Sequence, residues 1–368
     1  GTSLLQRPPQ LVIESSQGFA DISYQAGPTQ GRNCAVTFTG AGTAPGFTLD
    51  YATTVEFDGM IACEFTIHGS PEIRSMRLAW QLKPEVCQYL LTPLLQEGRG
   101  PDFEFQYPSG GGWLTATQLW LVSEDQGGFA YAMPHDANWV YDPAQPVFFA
   151  NKTSGECSVT MITKATRLPE NTPYQALFIA TPTRPLPIHN RVIRFADSSR
   201  SDTPRLDMTA GGGLTGVFTF EPHESDFTYR MKDRVPNTVS VYGAANSLTE
   251  ASGIATYFRK YWDIPGGSTY KMSYLNPLGD GAYEKEYHLT VPACNTCLIN
   301  DYYMHNIKTL LDHPCGDRVW QIYYDLCGSN LCGNEKHGCA FKDNFGRTIK
   351  TFALLSKRKL VERTVRFC

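Results

Sequence analysis

The sequence predicts a two-domain chain of mixed class: an N-terminal β-sandwich over residues 1–189, then a (β/α) TIM-barrel-like domain over 190–368 that is too short to close. Three observations carry this. Short runs of alternating apolar and polar residues, separated by Gly-, Pro- and Asn-rich turns, fill the first half. A proline-rich connector, Thr181-Pro182-Thr183-Arg184-Pro185-Leu186-Pro187, interrupts them. Beyond it the rhythm changes to strand, helix, strand, helix, the pattern of a parallel sheet.

In the first half, Ile61, Cys63, Phe65 and Ile67 alternate with Ala62, Glu64, Thr66 and His68, giving one face to a core and one to water. Comparable runs lie at 51–57, 76–80, 117–122, 128–133, 158–163 and 176–180. Many short strands without a long helix imply two packed sheets. Proline donates no ladder hydrogen bond and restricts the residue before it, so the 181–187 segment ends the sandwich, with the domain break near 190.

After the break, 216–221 (GVFTFE), 238–244 (TVSVYGA) and, more weakly, 270–275 read as strands. Helical spacing appears at Ile254, Tyr257, Phe258 and Tyr261, and again at Tyr303, Ile307, Leu310 and Leu311. The second of these helices leads into a buried strand over 319–324 that ends on Asp325. Ile349, Phe352, Leu355 and the stretch to Val365 predict a final basic amphipathic helix, with Lys357-Arg358-Lys359 on its solvated face. A complete eight-unit barrel takes about 250 residues, so only about four or five βα units fit in this half. The domain is expected to be a partial barrel or a fragment of a longer enzyme.

Composition narrows the function classes. With 42% hydrophobic and 18% charged residues the chain buries a sizeable core. A formal net charge of −4 provides no electrostatic footprint for nucleic acid. No apolar run is long enough to span a membrane, and residues 1–9 lack the pattern of a signal peptide, so a leader is expected to be already removed or never present. Eleven cysteines, seven of them from Cys294 onward, suggest disulfides and a secreted or otherwise extracytoplasmic location. The odd count leaves at least one thiol unpaired or intermolecular. A zinc site built from Cys294-x-x-Cys297 with Cys327, Cys332 and His337 is the rival, ranked lower because only one tight CxxC knuckle is present, and free buried thiols are the third reading. The expectation is therefore no metal and no cofactor.

Three stretches share features with one family. Trp120 to Phe129 (WLVSEDQGGF) followed by Asn138-Trp139, then Phe178 to Pro187 (FIATPTRPLP), then Ile322-Tyr323-Tyr324-Asp325 with Cys332-Gly333-Asn334 and His337-Gly338-Cys339, resemble in order and spacing the β-N-acetylgalactosaminidase-like glycoside hydrolases (family 123-like) and their uncharacterised relatives. The resemblance implies a sandwich in front of a catalytic barrel, and a carbohydrate substrate or ligand. Characterised members use an adjacent Asp-Glu pair at a strand end. Here Leu326 follows Asp325, so the acetamido-assisted mechanism does not carry over.

Glycoside cleavage needs one carboxyl group to protonate the leaving oxygen and a second group to attack or to activate water. Asp325 and Glu221, both at predicted strand ends, are the candidate catalytic pair. His337, His223, Asn334 and Glu335 are candidate sugar contacts, and Tyr242, Tyr274, Tyr324 and Trp262 are candidate stacking platforms. A non-catalytic carbohydrate-binding or structural protein is the alternative. The chain lacks GxSxG, GxxxxGK[ST] and HExxH patterns, which sets aside serine-hydrolase, P-loop and zinc-protease chemistry.

Overall fold

The computed structural model describes residues 3–94, 102–104, 112–114, 118–123, 127–142, 144–181, 239–244, 247–249, 257–258, 261–262, 270–274, 286–292, 294–312, 319–325 and 331–367. The chain divides into two compact units, Gly1–Leu186 with Lys342–Ile349, and Pro187–Phe341 with Lys350–Cys368. The division falls inside the proline-rich connector, between Leu186 and Pro187, a few residues before the break expected near 190. What the sequence does not announce is that a segment from far downstream belongs with the first unit.

The first unit is built from β1 (Leu5–Ser15), β2 (Gly18–Phe19), β3 (Ser23–Arg32), β4 (Ala35–Ala44), β5 (Phe47–Glu56), β6 (Met60–His68), β7 (Glu72–Leu82) and β8 (Tyr89–Leu94). It continues with β9 (Asp102–Glu104), β10 (Gly112–Leu114), β11 (Gln118–Val122), β12 (Gly128–Ala132), β13 (Phe148–Ala150), β14 (Glu156–Ile162), β15 (Thr166–Arg167) and β16 (Thr172–Thr181). One sheet runs β10-β13-β14-β7-β1-β2 with β15 on β7, and the other runs β3-β4-β5-β6-β16-β12-β11-β8-β9. Their strand pairs are antiparallel. The alternation at Ile61 to Ile67 pairs with β16 in unbroken register from Thr172↔Ile67 to Ile179↔Met60.

One core joins the two sheets. Trp80 of β7 stacks on Tyr131 of β12 at 5.9 Å between ring centroids and meets Phe178 of β16 edge-on at 5.5 Å, while Tyr131 meets Phe148 of β13 at 5.3 Å. All four rings are buried, with Ile13, Leu49, Ile67, Met76 and Val159 around them. Such edge-to-face and offset contacts add about 0.5–1.5 kcal/mol each beyond simple burial.

A turn from the downstream segment is tied to this unit by one carboxylate. Asp343 Oδ1 accepts from the amides of Phe345 and Arg347, and Oδ2 accepts from the Asn138 amide and from Arg347 Nε and Nη2 at 2.7–3.2 Å. Asn138, in the left-handed region at φ 64°, accepts from the Asn344 amide and donates to the Pro173 carbonyl. Burial opposes ionisation of Asp343, but the Arg347 guanidinium and the converging amides outweigh it and hold its pKa below the ordinary carboxylate value.

The second unit contains β17 (Val239–Ala244), β18 (Ser247–Thr249), β19 (Tyr270–Tyr274), β20 (Glu286–Pro292), α1 (Ile299–Leu311), β21 (Val319–Asp325), β22 (Leu331–Cys332), most of β23 (Ala340–Lys342) and β24 (Thr348–Phe352), and α2 (Leu354–Phe367). β17 and β21 pair in parallel, β18-β20-β19 form an antiparallel sheet, and β22-β24-β23 form another. Among the described residues no barrel is seen. The described residues are mostly antiparallel β with few helices.

Two corrections concern the C-terminus. Ile349 and Phe352, expected on the final helix, lie on β24, and the helix starts at Leu354. Lys357, expected in solvent, is buried. It shares the inner stripe of α2 with Leu360 and Thr364, and the helical period puts these three on one face.

Candidate metal centre and adjoining pocket

Four side chains of the second unit converge. Cys294, Cys332, His337 and Cys339 bring their sulfur and imidazole nitrogen atoms within 4.8 Å of one another. Cys294 Sγ lies 3.5 Å from Cys339 Sγ, and Cys332 Sγ lies 3.8 Å from His337 Nε2. The three cysteines are fully buried.

Local structure explains the convergence. Cys294 begins the turn that leads into α1, its amide donating to the Trp262 carbonyl at 2.9 Å. Asn300 closes the turn, accepting from Asn295 Nδ2 and donating to the Asn295 and Ser356 carbonyls. Cys332 ends β22, paired with Thr351 of β24. A short 3-10 turn over Glu335–His337 follows, capped by Asn334, whose Oδ1 accepts from the Lys336 amide. Gly338, at φ 76°, reverses the chain so that His337 and Cys339 both face the cluster.

The electrostatics favour charge on one sulfur, Cys339, whereas hydrogen bonding to Cys294 and Cys339 raises the Cys332 thiol above its ordinary value. Hydrogen bonds given by Cys294 and Cys332 hold the Cys339 thiol well below its ordinary pKa. Burial alone would lower the His337 pKa, but hydrogen bonding and charge from Cys294 and Cys339 win and raise it to about 10. The Thr296 amide donates to Cys294 Sγ at 3.4 Å, the kind of backbone support that thiolate ligands receive.

Cys297 does not join them. Its thiol donates to the Cys294 carbonyl at 2.9 Å, and burial pushes it up to about 12. Of the zinc set that the sequence offered as the rival reading, Cys294, Cys332 and His337 converge, Cys297 turns away, and Cys327 lies outside the described residues; Cys339 converges without having been named. The signal that would have found it is Cys332-x4-His337-x-Cys339, read without requiring the CxxC as a knuckle. No disulfide is formed among the described cysteines. Cys294 and Cys339 stand at 3.5 Å against about 2.05 Å for a bond. The extracytoplasmic location argued from disulfides loses that support.

Beside the cluster lies a pocket of about 560 Å³ lined by Tyr257, Phe258, Tyr261, Trp262, Lys336 and His337, among others. Phe258 and Trp262 stack at 5.0 Å and 14°, and Lys336 Nζ sits 5.2 Å from the Tyr261 ring centroid. The stripe expected to face a core is thus a pocket wall: Trp262 is buried, but Tyr257 and Tyr261 are exposed.

Of the other sequence candidates, Glu221 and His223 lie outside the described residues. Asp325, Tyr242, Tyr274 and Tyr324 are on strands, with Ala244 opposite Asp325, Tyr242 opposite Tyr323, and Tyr274 opposite Glu286. Asn334 is buried and acts as a cap, while Glu335 is exposed and its carbonyl accepts from the Gly338 amide. Comparison with family models and with curated proteins gives no match for this chain.

Proposed function

We propose that the chain is a carbohydrate-active protein of glycoside hydrolase type, which cleaves glycosidic bonds of a glycan or oligosaccharide with strand-end carboxylates. The observation that carries this reading is the parallel pairing of β17 and β21, in register from Val241↔Ile322 to Ala244↔Asp325. In parallel α/β arrangements ligands gather at the C-terminal ends of the strands, and Asp325 closes one such end. In this reading the second unit is the remnant or portion of a catalytic barrel. Asp325 serves as the acid or the nucleophile and Glu221 as its partner, with about 5–10 Å required between their carboxyl groups.

The non-catalytic alternative is favoured by a different observation. The aromatic pocket beside the cluster offers flat apolar faces with polar edges, the surface on which pyranose rings stack. The test is a hydrolysis screen of the full chain against aryl glycosides, hexosaminides included, beside Asp325→Asn and with sugar binding measured in parallel. Turnover that falls by about 100-fold or more in Asp325→Asn supports the hydrolase. Saturable binding without turnover, weakened in Tyr261→Ala, selects the binding protein. Turnover that Asp325→Asn leaves intact removes Asp325 from the chemistry.

A further inference from the structure

The structure assigns a zinc ion to the Cys294, Cys332, His337 and Cys339 cluster, as a closed site whose role is to hold the fold. Three sulfurs and one imidazole make the Cys₃His donor set of structural zinc sites. With Zn–S of about 2.3 Å and Zn–N of about 2.0–2.1 Å, a tetrahedral ion sets its ligand atoms about 3.6–3.8 Å apart. The separations of 3.5 Å between Cys294 and Cys339 and 3.8 Å between Cys332 and His337 lie within about 0.3 Å of that spacing.

The donor set also selects the metal. Thiolates bind magnesium and calcium poorly and favour zinc or other soft ions. An iron–sulfur cluster holds its thiolates farther apart than a single ion does, and these four donor atoms fit within 4.8 Å. Four protein ligands leave no open coordination position for water or substrate. The ion therefore does not activate a nucleophile. Binding displaces the remaining thiol protons and ties the turn before α1 to β22 and to the turn after it, so that metal affinity becomes folding free energy.

The arrangement makes a discriminating claim about the CxxC pair. Cys294 is a ligand and Cys297 is not, because the Cys297 sulfur is turned to the Cys294 carbonyl. The test uses the full chain, purified under reducing conditions with zinc supplied. Elemental analysis is expected to find zinc bound to the wild-type chain and to Cys297→Ser. The zinc content is expected to fall by one ion per chain in Cys294→Ser and in Cys339→Ser. Because those two variants could fail to fold, wild-type chain reconstituted with cobalt(II) provides a reading independent of them: the visible bands of a tetrahedral ion together with thiolate-to-cobalt charge transfer. A wild-type chain without zinc, zinc that survives both ligand substitutions, or an octahedral cobalt spectrum without thiolate bands overturns the proposal.

Discussion

The two units bury cysteine in opposite ways. In the sandwich, Cys87 and Cys157 are buried in a large apolar core, and their thiols donate to the Lys83 and Gly155 carbonyls at 3.6 and 3.7 Å. Burial raises the Cys157 pKa well above the ordinary thiol value, so the group stays protonated and packs as a small hydrophobe. In the second unit, Cys294, Cys332 and Cys339 make up a small buried cluster with Ala353, and the Cys294 and Cys339 sulfurs face each other at 3.5 Å. A cysteine surrounded by rings and aliphatic chains adds area to a core. Three of them beside a histidine form a ligand set that a metal ion can close.

This contrast can be broken from the sandwich side. Trp80→Ala removes the ring that bridges the sheets, and we expect about 3–5 kcal/mol of destabilisation, measured by denaturant unfolding of the first unit. The zinc content is expected to stay as in the wild type. Loss of zinc in this variant would show that the two cores are not energetically separate.

A smaller effect sharpens the comparison between a polar anchor and an apolar core. Asp343→Asn replaces the carboxylate that collects five hydrogen bonds, and about 2–3 kcal/mol is expected. Because the folded-state pKa of Asp343 is depressed, its contribution is fully present above the unfolded value of about 3.9. It is lost as pH falls through the folded pKa. Wild-type stability should therefore drop more steeply than that of Asp343→Asn as the pH is lowered below about 4. Parallel curves would remove Asp343 from the account.

Much of the sandwich was legible because its strands alternate. Ile61 to Ile67 have one apolar face, and the structure puts them on β6 with Phe65 and Ile67 buried. β3 was not legible: SYQAGPTQGR is exposed along its whole length, so no face is marked by apolar residues and its pairing with β4 alone makes it a strand. Tyr303 and Ile307 were read correctly as the inner face of α1. Ile349 and Phe352 were assigned to a helix because short apolar runs do not distinguish periods, and pairing with β22 made them a strand. The metal centre was half legible. Spacing suggested a zinc set as a rival to disulfides, but a CxxC invites both cysteines into it, and only tertiary folding shows that Cys297 turns away and that Cys339 joins the cluster.

The central claim is that sulfur in the second unit is ligand and sulfur in the sandwich is core. Site-resolved alkylation of the native chain, with and without a zinc chelator and read by peptide mass spectrometry, tests it most directly. The account predicts that chelation exposes Cys294, Cys332 and Cys339 to the reagent while Cys87 and Cys157 stay protected. Unchanged labelling of the three cysteines, or equal gains at Cys87 and Cys157, would contradict it.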